Sequence, residues 1–455
     1  MPEGWEWTRI NNIAFFQGGY AYKSNRYVAF SNNLIIRIGN VKNKTLLIDV
    51  APVFIDDQYA EETANYKLQE CDILFTMTGT KGKRDYFYSC IIEKSDIIKK
   101  SLFLNQRVGC LRIIEPDTVN PYLFLSFIQS TFVLDSIFST ETGNVNQGNI
   151  GSTATLNLLI PIPPIEEQKR VINCISTVNK FIDTIESDKT DLQTTIQLTK
   201  SKILDLAIRG KLVPQDPNDE PASVLLERIR AEKEELIKQG KIKRDKKESV
   251  IFKGDDNSYY EKIGDTVTCI DEELPFELPD GWAWVRLSSA CIINPKNSIS
   301  DDTVVSFVPM TLIQDGYANE FTFEQRKWGD VKKGFTHFAE NDVGFAKITP
   351  CFENRKSVVF RDLCNGYGAG TTELYILRTF PDTIMPEYIL YIVKTESFLV
   401  GGKQTCAGVV GQQRISKDYV CDYLVPVPPL NEQVRIINKC TEIMTMLYNI
   451  EKSLS

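Results

Sequence analysis

One histidine, His337, is present among the 455 residues of the sequence. Metal centres and Ser-His-Asp triads that depend on imidazole are therefore practically excluded, and we expect His337 to lie on the surface or in a loop. The eleven cysteines run from Cys71 to Cys440 without a C-x-x-C pair, which indicates neither a disulfide framework nor a zinc site. We expect them to be reduced and mostly buried.

Catalytic and membrane signals are also missing. No apolar run approaches the roughly 18 residues that span a bilayer, and the N-terminus lacks the pattern of a signal peptide, so we expect a cytoplasmic protein without membrane contact. No G-x-x-x-x-G-K-S/T loop indicates an ATP site. Asn120-Pro-Tyr lacks the second proline of the loop with which amino-methyltransferases position a flipped base. We therefore expect no catalytic residue, no bound cofactor and no metal in this chain.

Acidic residues outnumber basic ones. The 60 Asp and Glu against 52 Lys and Arg give a net charge of −8, which is unusual for a protein that binds nucleic acid over its whole surface. Any DNA contact must come from local patches or be shared with a partner. A hydrophobic content of 42% with 24 Phe and 18 Tyr indicates folded material, and the length predicts about two to four domains.

The sequence repeats at its landmarks. Pro2-Glu-Gly-Trp-Glu-Trp recurs 277 residues later as Pro279-Asp-Gly-Trp-Ala-Trp, and Pro161-Ile-Pro-Pro-Ile-Glu-Glu-Gln recurs 265 residues later as Pro426-Val-Pro-Pro-Leu-Asn-Glu-Gln. Between the landmarks the polar residues differ. Two similar frames that carry different surfaces favour one task performed on two targets, and a duplication without a division of function is the simpler alternative.

A heptad pattern follows each Pro-Pro pair. Apolar residues recur at alternating steps of three and four, as in the seam of a coiled coil, with only Lys189 and Thr199 interrupting the first series. They are Val171, Ile175, Val178, Ile182, Ile185, Leu192, Ile196, Ile203 and Leu206 in the first copy, and Ile436, Cys440, Ile443, Leu447, Ile450 and Leu454 in the second. We predict that the two seams pack together, with the first, roughly 54 Å long, acting as a spacer. The alternative is that each stripe docks on its own globular half.

The second seam is the shorter of the two. We expect the last turns of the first seam to lack a partner on it, and to pack on residues 215–275, to pack on a partner subunit, or to fray. Ala222 to Lys247 is predicted to be a highly charged, solvated helix within a linker, and its basic end could touch phosphates.

Four strings of residues stand out together: Gly-Trp-x-Trp at the start of each half; Pro-x-Pro-Pro followed by Glu-Gln before each heptad helix; Ile208-Arg-Gly-Lys-Leu-Val-Pro-Gln-Asp-Pro-Asn-Asp-Glu-Pro; and Lys347-Ile-Thr-Pro-Cys-Phe-Glu-Asn. In this order and with this duplication, the set resembles the specificity subunits of type I restriction-modification enzymes over nearly the whole chain. The resemblance implies an α+β protein with two similar mixed α/β target-recognition domains in tandem, joined by a long antiparallel two-helix coiled coil. Each domain would read one half of a split site on double-stranded DNA.

The same resemblance implies partners and a division of the chain. Methyltransferase subunits, two in number, would carry S-adenosylmethionine and modify adenine, and restriction subunits would use ATP and Mg to cut DNA. This chain would be a non-catalytic specificity subunit. The expected boundaries are 1–160 for the first target-recognition domain, 161–213 for the central coiled-coil helix, 214–275 for a linker with a charged helix, 276–425 for the second target-recognition domain and 426–455 for the distal helix.

Base reading and phosphate binding need amide and cationic side chains, and the middle of each half supplies them. Our candidates in the first half are Lys81, Lys83, Arg84, Asn105, Gln106, Arg107, Asn144, Asn146 and Gln147. In the second half they are Lys347, Thr349, Asn354, Arg355, Lys356, Gln412, Gln413 and Arg414. For any one of them a solvated loop is the alternative. The tryptophans of the Gly-Trp-x-Trp motifs are assigned to packing.

Two rival functions remain open at this point. A structural adaptor would bind proteins through its two heads, with the coiled coil setting their separation, and its binding would ignore DNA sequence. A self-contained modification enzyme would bind S-adenosylmethionine without partners, but the missing motifs disfavour it. The sequence favours a DNA reader with two different heads.

Overall fold

The fold was analysed in a computed structural model that describes residues 1–144, 146–244, 248–408 and 412–454. The chain divides into a first unit, Met1–Glu186, and a second unit, Ser187–Ser455. Both contain helices and mixed sheets, which confirms the α+β class and the tandem arrangement.

The first unit alternates short strands with short helices. Its elements are β1 (Glu6–Arg9), β2 (Ala14–Gly18), β3 (Tyr27–Val28), β4 (Asn33–Ile36), β5 (Val41–Lys42), β6 (Thr45–Leu46), β7 (Phe54–Ile55), α1 (Asp57–Glu62), β8 (Ile73–Thr76), β9 (Thr78–Gly79), β10 (Ser89–Ile91), α2 (Lys94–Ile97), β11 (Ser101–Leu104), β12 (Val108–Ile113), α3 (Pro121–Ile128), α4 (Thr131–Phe138), β13 (Thr142–Asn144), β14 (Gln147–Asn149), α5 (Ser152–Leu156) and β15 (Leu159–Ile162). The 44-residue helix α6 (Ile165–Ile208) follows and continues into the second unit.

The second unit then adds a further set of elements. They are α7 (Ala222–Lys238), β16 (Ser249–Lys253), β17 (Tyr259–Ile263), β18 (Thr266–Cys269), β19 (Ala283–Arg286), α8 (Leu287–Ala290), β20 (Ile292–Ile293), β21 (Val304–Val308), β22 (Glu324–Lys327), α9 (Trp328–Val331), β23 (Thr336–Ala339), β24 (Val343–Ala346), β25 (Ser357–Val359), β26 (Tyr367–Gly370), β27 (Leu374–Arg378), α10 (Pro386–Lys394), α11 (Glu396–Gln404), α12 (Lys417–Asp422), β28 (Leu424–Val427) and α13 (Leu430–Ser453).

The two units share the topology of their main sheet. An antiparallel four-stranded sheet has the order β10-β8-β12-β2 in the first unit and β25-β24-β27-β20 in the second. A second mixed sheet contains one parallel pair in each unit, β4 with β11 and β21 with β26. Buried apolar side chains of these sheets and of the adjoining helices form the cores. The repetition seen at the sequence landmarks therefore extends to the fold between them.

The two repeated motifs of each half meet in one pair of strands. The Gly-Trp-x-Trp strand β1 runs antiparallel to the Pro-x-Pro strand β15, with Trp7 opposite Pro161. In the second unit β19 pairs with β28 in the same register, with Trp284 opposite Pro426. Proline lacks the backbone N–H that a central strand needs, and a two-stranded edge tolerates it. Strings that lie about 150 residues apart in sequence thus recur together because they form one structural piece.

The glutamine that ends each Pro-Pro motif is buried and fully used. The Gln168 side chain accepts a bond from Asn120 N at 2.8 Å and donates to the carbonyls of Thr118 at 3.0 Å and Pro163 at 2.9 Å. Gln433 makes the equivalent bonds, accepting from Met385 N at 2.8 Å and donating to Thr383 and Pro428, each at 3.1 Å. Each glutamine clamp joins the start of a long helix to the turn before α3 or α10.

The neighbouring glutamate ties this turn to the first tryptophan of the motif. Trp5 Nε1 donates to Glu167 Oε1 at 3.0 Å, and Trp282 Nε1 donates to Glu432 Oε2 at 2.9 Å. Burial raises the pKa of Glu432, and hydrogen bonds from Gln215 and Trp282 oppose that rise. Both Trp-Glu contacts agree with the packing role assigned to the tryptophans.

The predicted seam is buried at one end of α6 and exposed over much of the rest. Ile196 and Ile203 are 2% and 6% exposed, whereas Val178, Ile182 and Ile185 are 49%, 46% and 66% exposed. The last turns of α6 pack with α7 and α13. The contact is antiparallel because Gln197 bonds to Glu451 near the end of α13, whereas Gln215, just beyond the end of α6, bonds to Glu432 near the start of α13.

The expectation that the last turns of the first seam lack a partner on the second is therefore wrong. In the antiparallel pair the end of α6 lies beside the start of α13, which supplies the partner. It is the turns around Val178 to Leu192 that are exposed. The last turns also pack on Ala222 and Ile229, which is one of the alternatives we had left open.

Two further expectations need correction. Residues 249–269 form an antiparallel three-stranded sheet, β16-β17-β18, where we expected a linker, and the charged helix ends at Lys238. Val250-Ile-Phe, Tyr259-Tyr and Val267 are strand formers separated by Asp-Asp-Asn and Gly turns, a signal that we passed over. Residues 245–247 of the predicted helix lie outside the described residues.

His337 is not a surface residue. It lies on β23, is 6% exposed and packs against Trp328 with ring centroids 4.5 Å apart. Its Nδ1 accepts from Asn297 N at 3.3 Å, and its Nε2 donates to Lys332 O at 2.9 Å. Burial lowers its pKa, so the ring is a neutral part of the core.

No single helix in the described part of the chain has the length and apolarity to span a membrane. The bent pair α3 and α4 meets those criteria jointly.

Replacing Gln433 with Ala should lower the free energy of unfolding by about 2 to 4 kcal/mol, since it leaves the backbone groups that it binds without partners in the interior. The midpoint of urea unfolding, followed by tryptophan fluorescence, measures this. Asn438→Ala on the exposed side of α13 is the matched control and should change little. Equal midpoints for the two variants would contradict the clamp.

The end and the middle of α6 should respond differently to side-chain truncation. Ile203→Ala removes buried methyl groups and should cost about 2 to 4 kcal/mol, whereas Ile185→Ala at an exposed seam position should stay within about 0.5 kcal/mol. The unfolding midpoints of the isolated chain report both. A large loss at Ile185 would show that its side chain is buried in the folded chain.

Candidate nucleic-acid interface

A small sheet in the first unit brings two of the predicted segments together. Strand β9, which precedes the basic loop 80–84, pairs with β14, and β14 pairs with β13 across the amide-rich hairpin 142–149. Lys81 Nζ donates to Gly143 O at 2.8 Å, which spans the two segments directly. Lys81, Lys83, Asn144, Asn146 and Gln147 are all exposed. Cations and amides from distant parts of the sequence therefore share one solvent-facing sheet.

The third predicted segment of this unit joins the same place. Met77 N donates to Arg107 O at 3.2 Å, and Ile150 N donates to Met77 O at 3.0 Å. The backbone of Met77 thus lies between the turn that holds Asn105, Gln106 and Arg107 and the hairpin that holds Asn144 to Gln147. Gln106 and Arg107 are exposed, and Asn105 is half-buried.

Internal partners restrain the basic loop. Arg84 Nη1 bonds to Asp135 Oδ1 at 2.6 Å, with both side chains more than half exposed, and its guanidinium lies 5.4 Å from the centre of the Phe138 ring. Glu141 accepts from Gly82 N at 3.1 Å and from the Tyr86 hydroxyl at 2.6 Å. Burial and this bond raise the pKa of Tyr86. Because the partner of the Lys81 ammonium is a neutral carbonyl, that side chain keeps its full charge for a phosphate.

The second unit has the same arrangement in the equivalent position. Ile348 forms a β-bridge to Arg414, which also bridges to Ala407. Thr349 N donates to Gln413 O at 2.8 Å, and Ile415 N donates to Lys347 O at 3.0 Å. The segment after β24 therefore lies beside the segment before α12, as the segment after β8 lies beside β14. Residues 409–411, which precede the candidate Gln412, lie outside the described residues.

The side chains at this second position differ in kind. Arg414 binds Glu373 through two hydrogen bonds, Nε to Oε2 at 2.9 Å and Nη2 to Oε1 at 2.7 Å, which lowers the pKa of Glu373. Its Nη1 also donates to Gln412 O at 3.3 Å. Two of the five guanidinium N–H groups remain for an external acceptor. A fixed arginine of this kind suits the paired acceptors of guanine.

Other candidate side chains of the second unit bind partners within that unit. Thr349 is 7% exposed, and its hydroxyl donates to Gln413 O at 3.3 Å and accepts from Gln413 N at 3.2 Å. Lys356 Nζ donates to Ile313 O at 2.7 Å and lies 3.4 Å from Asp315. Arg355 pairs with Glu396. These residues shape the loop, while Gln412, Asn354 and part of Arg414 face solvent.

Comparison with known proteins agrees with these features. The sequence model of the type I restriction modification DNA specificity domain matches residues 2–194. The EcoAI specificity subunit of Escherichia coli is 47% identical over 258 residues, covering 56% of this chain and 41% of that protein. The MjaX protein of Methanocaldococcus jannaschii, described as a specificity subunit, is 28% identical over 203 residues, covering 42% of this chain and 44% of that protein. The chain is therefore similar to type I restriction enzyme specificity subunits, and its residues 2–194 match their DNA specificity domain.

Two solved structures show a similar fold over the full chain. A structure from work on assembly and conformational transition of the type I R-M system has a TM-score of 0.61 at 15% identity, covering 100% of this chain and 93% of that one. The HsdS subunit from Thermoanaerobacter tengcongensis has a TM-score of 0.52 at 14% identity with the same coverage. The sequence matches to the EcoAI subunit and the related EcoEI subunit span about two fifths of those relatives, 41% and 40%.

Carboxylates that the sequence analysis did not identify restrain the candidate loops. Glu141, Glu373 and Glu396 lie between 41 and 59 residues from the loops that they restrain. Acidic side chains are common in this chain, and nothing in their spacing marks these three. The segments that meet could be predicted from the repeat offset, but their internal partners could not.

Replacing Lys81 and Lys83 together with Ala should weaken DNA binding by the assembled complex and reduce the slope of log K against log salt by up to about 2, because up to two phosphate contacts are lost. Arg84→Ala should have a smaller effect, since its charge is already paired with Asp135. Binding measured across a salt series gives both values. Lys180→Ala on an exposed part of α6 is the control, and a slope equal to that control would refute the contact.

Proposed function

We propose that this chain is the DNA-reading subunit of a type I restriction-modification complex, in which each unit recognises one part of a split site. The observation that carries the proposal is a pair of adjoining loop segments at the same place in two similar frames. A small sheet joins them in the first unit, where they bear lysines and amides, and β-bridges join them in the second, where they bear a carboxylate-held arginine. Similar frames with different polar surfaces suit two different targets. Similarity to type I restriction enzyme specificity subunits supports the same reading.

The chain itself would perform no chemistry. Methyltransferase subunits, two per complex, would bind S-adenosylmethionine and modify adenine, and restriction subunits would use ATP and Mg to cut DNA. Since its ligand is chromosomal DNA, we place the complex in the cytoplasm. The net charge of −8 leaves the chain with local cationic patches, so we propose that the partners supply much of the attraction to phosphate and that the isolated chain binds DNA weakly.

Fixed donors make base reading selective. A guanidinium or amide that is already held in place loses little rotational freedom when it binds a base edge, and a good paired contact is worth about 1 to 3 kcal/mol against the wrong base. Glu373 holds Arg414 in this way, and Arg414 remains nearly half exposed. We therefore assign Arg414 to base recognition by the second unit, whereas Lys81 and Lys83 position the first unit on the backbone.

Selection of duplexes from a random pool by the complex with its methyltransferase tests the proposal. The selected DNA should share a motif of two separated parts. Arg414→Ala should relax one part while leaving the other intact, since only the second unit loses a base contact. The matched control is Arg228→Ala. Arg228 is an exposed residue of α7 that pairs with Glu220, and its replacement should leave both parts of the motif unchanged.

A pool without any enriched motif would contradict the proposal. Binding that ignores DNA sequence but persists with a protein ligand would favour the adaptor instead. Relaxation of both parts by Arg414→Ala would contradict the assignment of one part to each unit.

A further inference from the structure

Lys394 is a buried cation that the reading of DNA does not directly use. It is the last residue of α10, is 1% exposed, and its Nζ donates to Gly316 O at 2.7 Å and to Arg355 O at 3.1 Å. Taking an ammonium out of water is costly unless polar groups replace the water. Burial, together with repulsion from Arg355, lowers the pKa of Lys394 to about 7, while Asp315 opposes the shift. The cost of burying this ammonium indicates that Lys394 has a structural role.

The two carbonyls that it binds belong to two loops around the candidate site. Arg355 is part of the segment 347–356 that follows β24, and Gly316 lies in the loop between β21 and β22. Gly316 N donates to Asn354 O at 2.8 Å, so the same loops are also joined directly. Lys394 thus ties both loops to the end of a core helix.

The backbone at Arg355 is in an unfavourable conformation. Its φ is +59°, in the left-handed region that non-glycine residues adopt rarely. Such conformations persist where the surroundings over-determine them. Here the carbonyl of Arg355 accepts hydrogen bonds from Lys394 Nζ and, at 3.0 Å, from the Ser357 hydroxyl. The Nε of Arg355 donates to Lys394 O at 3.2 Å. Removing the ammonium removes one of the contacts that hold this turn.

The first unit has a neutral residue at the equivalent position. Gln129 lies 265 residues before Lys394, and its Nε2 donates to Ser89 O at 2.7 Å. A neutral amide therefore makes one carbonyl contact in the first unit where a buried lysine makes two in the second. At this position the second unit therefore has a lysine that can hold its loops by charge-assisted hydrogen bonds, and the first unit does not.

We propose that Lys394 is a positioning residue that holds the segment 350–356 in the geometry needed for DNA recognition by the second unit. The proposal deepens the proposed function and rests on it. Lys394 touches no DNA, and its effect is exerted through the backbone of Arg355 and Gly316. Its loss should reduce discrimination in one part of the DNA motif and leave the other unchanged.

Two variants separate the effect of the hydrogen-bond donor of Lys394 from the effect of its side-chain size. Lys394→Met keeps a similar length without a donor, and Lys394→Gln restores a donor of the kind found at Gln129. In the complex with its methyltransferase, Lys394→Met should reduce discrimination against base changes in one part of the motif on the order of tenfold, and Lys394→Gln should recover part of it. Gln129→Met is the matched change in the first unit and should spare the part that Lys394 affects.

Hydrogen exchange of the full chain supplies a readout that needs no DNA. Lys394→Met should speed exchange at Gly316 N, whose acceptor lies in the braced loop, and Lys394→Gln should reverse part of this. Exchange and discrimination equal to wild type in both variants would overturn the proposal, as would equal loss in both parts of the motif. If Lys394→Met fails to fold, Lys394→Gln decides alone: partial loss in one part supports the proposal and wild-type behaviour overturns it. If the wild-type complex selects no DNA motif, the proposed function is refuted. The hydrogen-exchange result would still show whether Lys394 holds the loop.

Discussion

A buried glutamine side chain fixes the frame of each half of this protein. Gln168 and Gln433 each satisfy three backbone groups, from the turn before a core helix and from the Pro-Pro segment. Because the carboxamide is the partner of both a donor and two acceptors, neither an apolar side chain nor a carboxylate can replace it at that site. The glutamine determines where the strand that closes the unit ends and where the following long helix begins.

A second pair of contacts repeats within each main sheet. Arg112 binds both carboxylate oxygens of Asp72, each at 2.6 Å, and Arg378 binds those of Asp342 at 2.8 and 2.7 Å. Each aspartate is 1% exposed and immediately precedes the strand that leads to the candidate interface. Breaking such a pair leaves a buried charge, which is strongly destabilising. The frame is thus held by contacts remote from the polar loops, so the loops can differ between the units without loss of the fold.

The sequence was most informative where a pattern had a local cause. The tandem frames follow from the duplicated Trp and Pro-Pro-Glu-Gln strings, and long helices follow from the heptads, whereas the α+β class was implied by the family resemblance. The direction of helix pairing could not be derived from the spacing of apolar residues, because the stripe at Ile203 and the stripe at Ile185 look alike. His337 was misplaced since a lone histidine carries no sign of its neighbours. The loops that meet were found, but the carboxylates that hold Arg84, Arg355 and Arg414 come from distant segments with no distinguishing pattern.

Exchange of residues 276–425 for the corresponding part of another specificity subunit is the most direct test of the two-reader account. The measurement is a genome-wide map of methylated adenine in a host that carries the cognate methyltransferase and either the native or the exchanged gene. The account predicts a split motif in which one part changes with the exchange and the other stays the same. A motif that changes in both parts, or adenine methylation that does not depend on this chain, would contradict it.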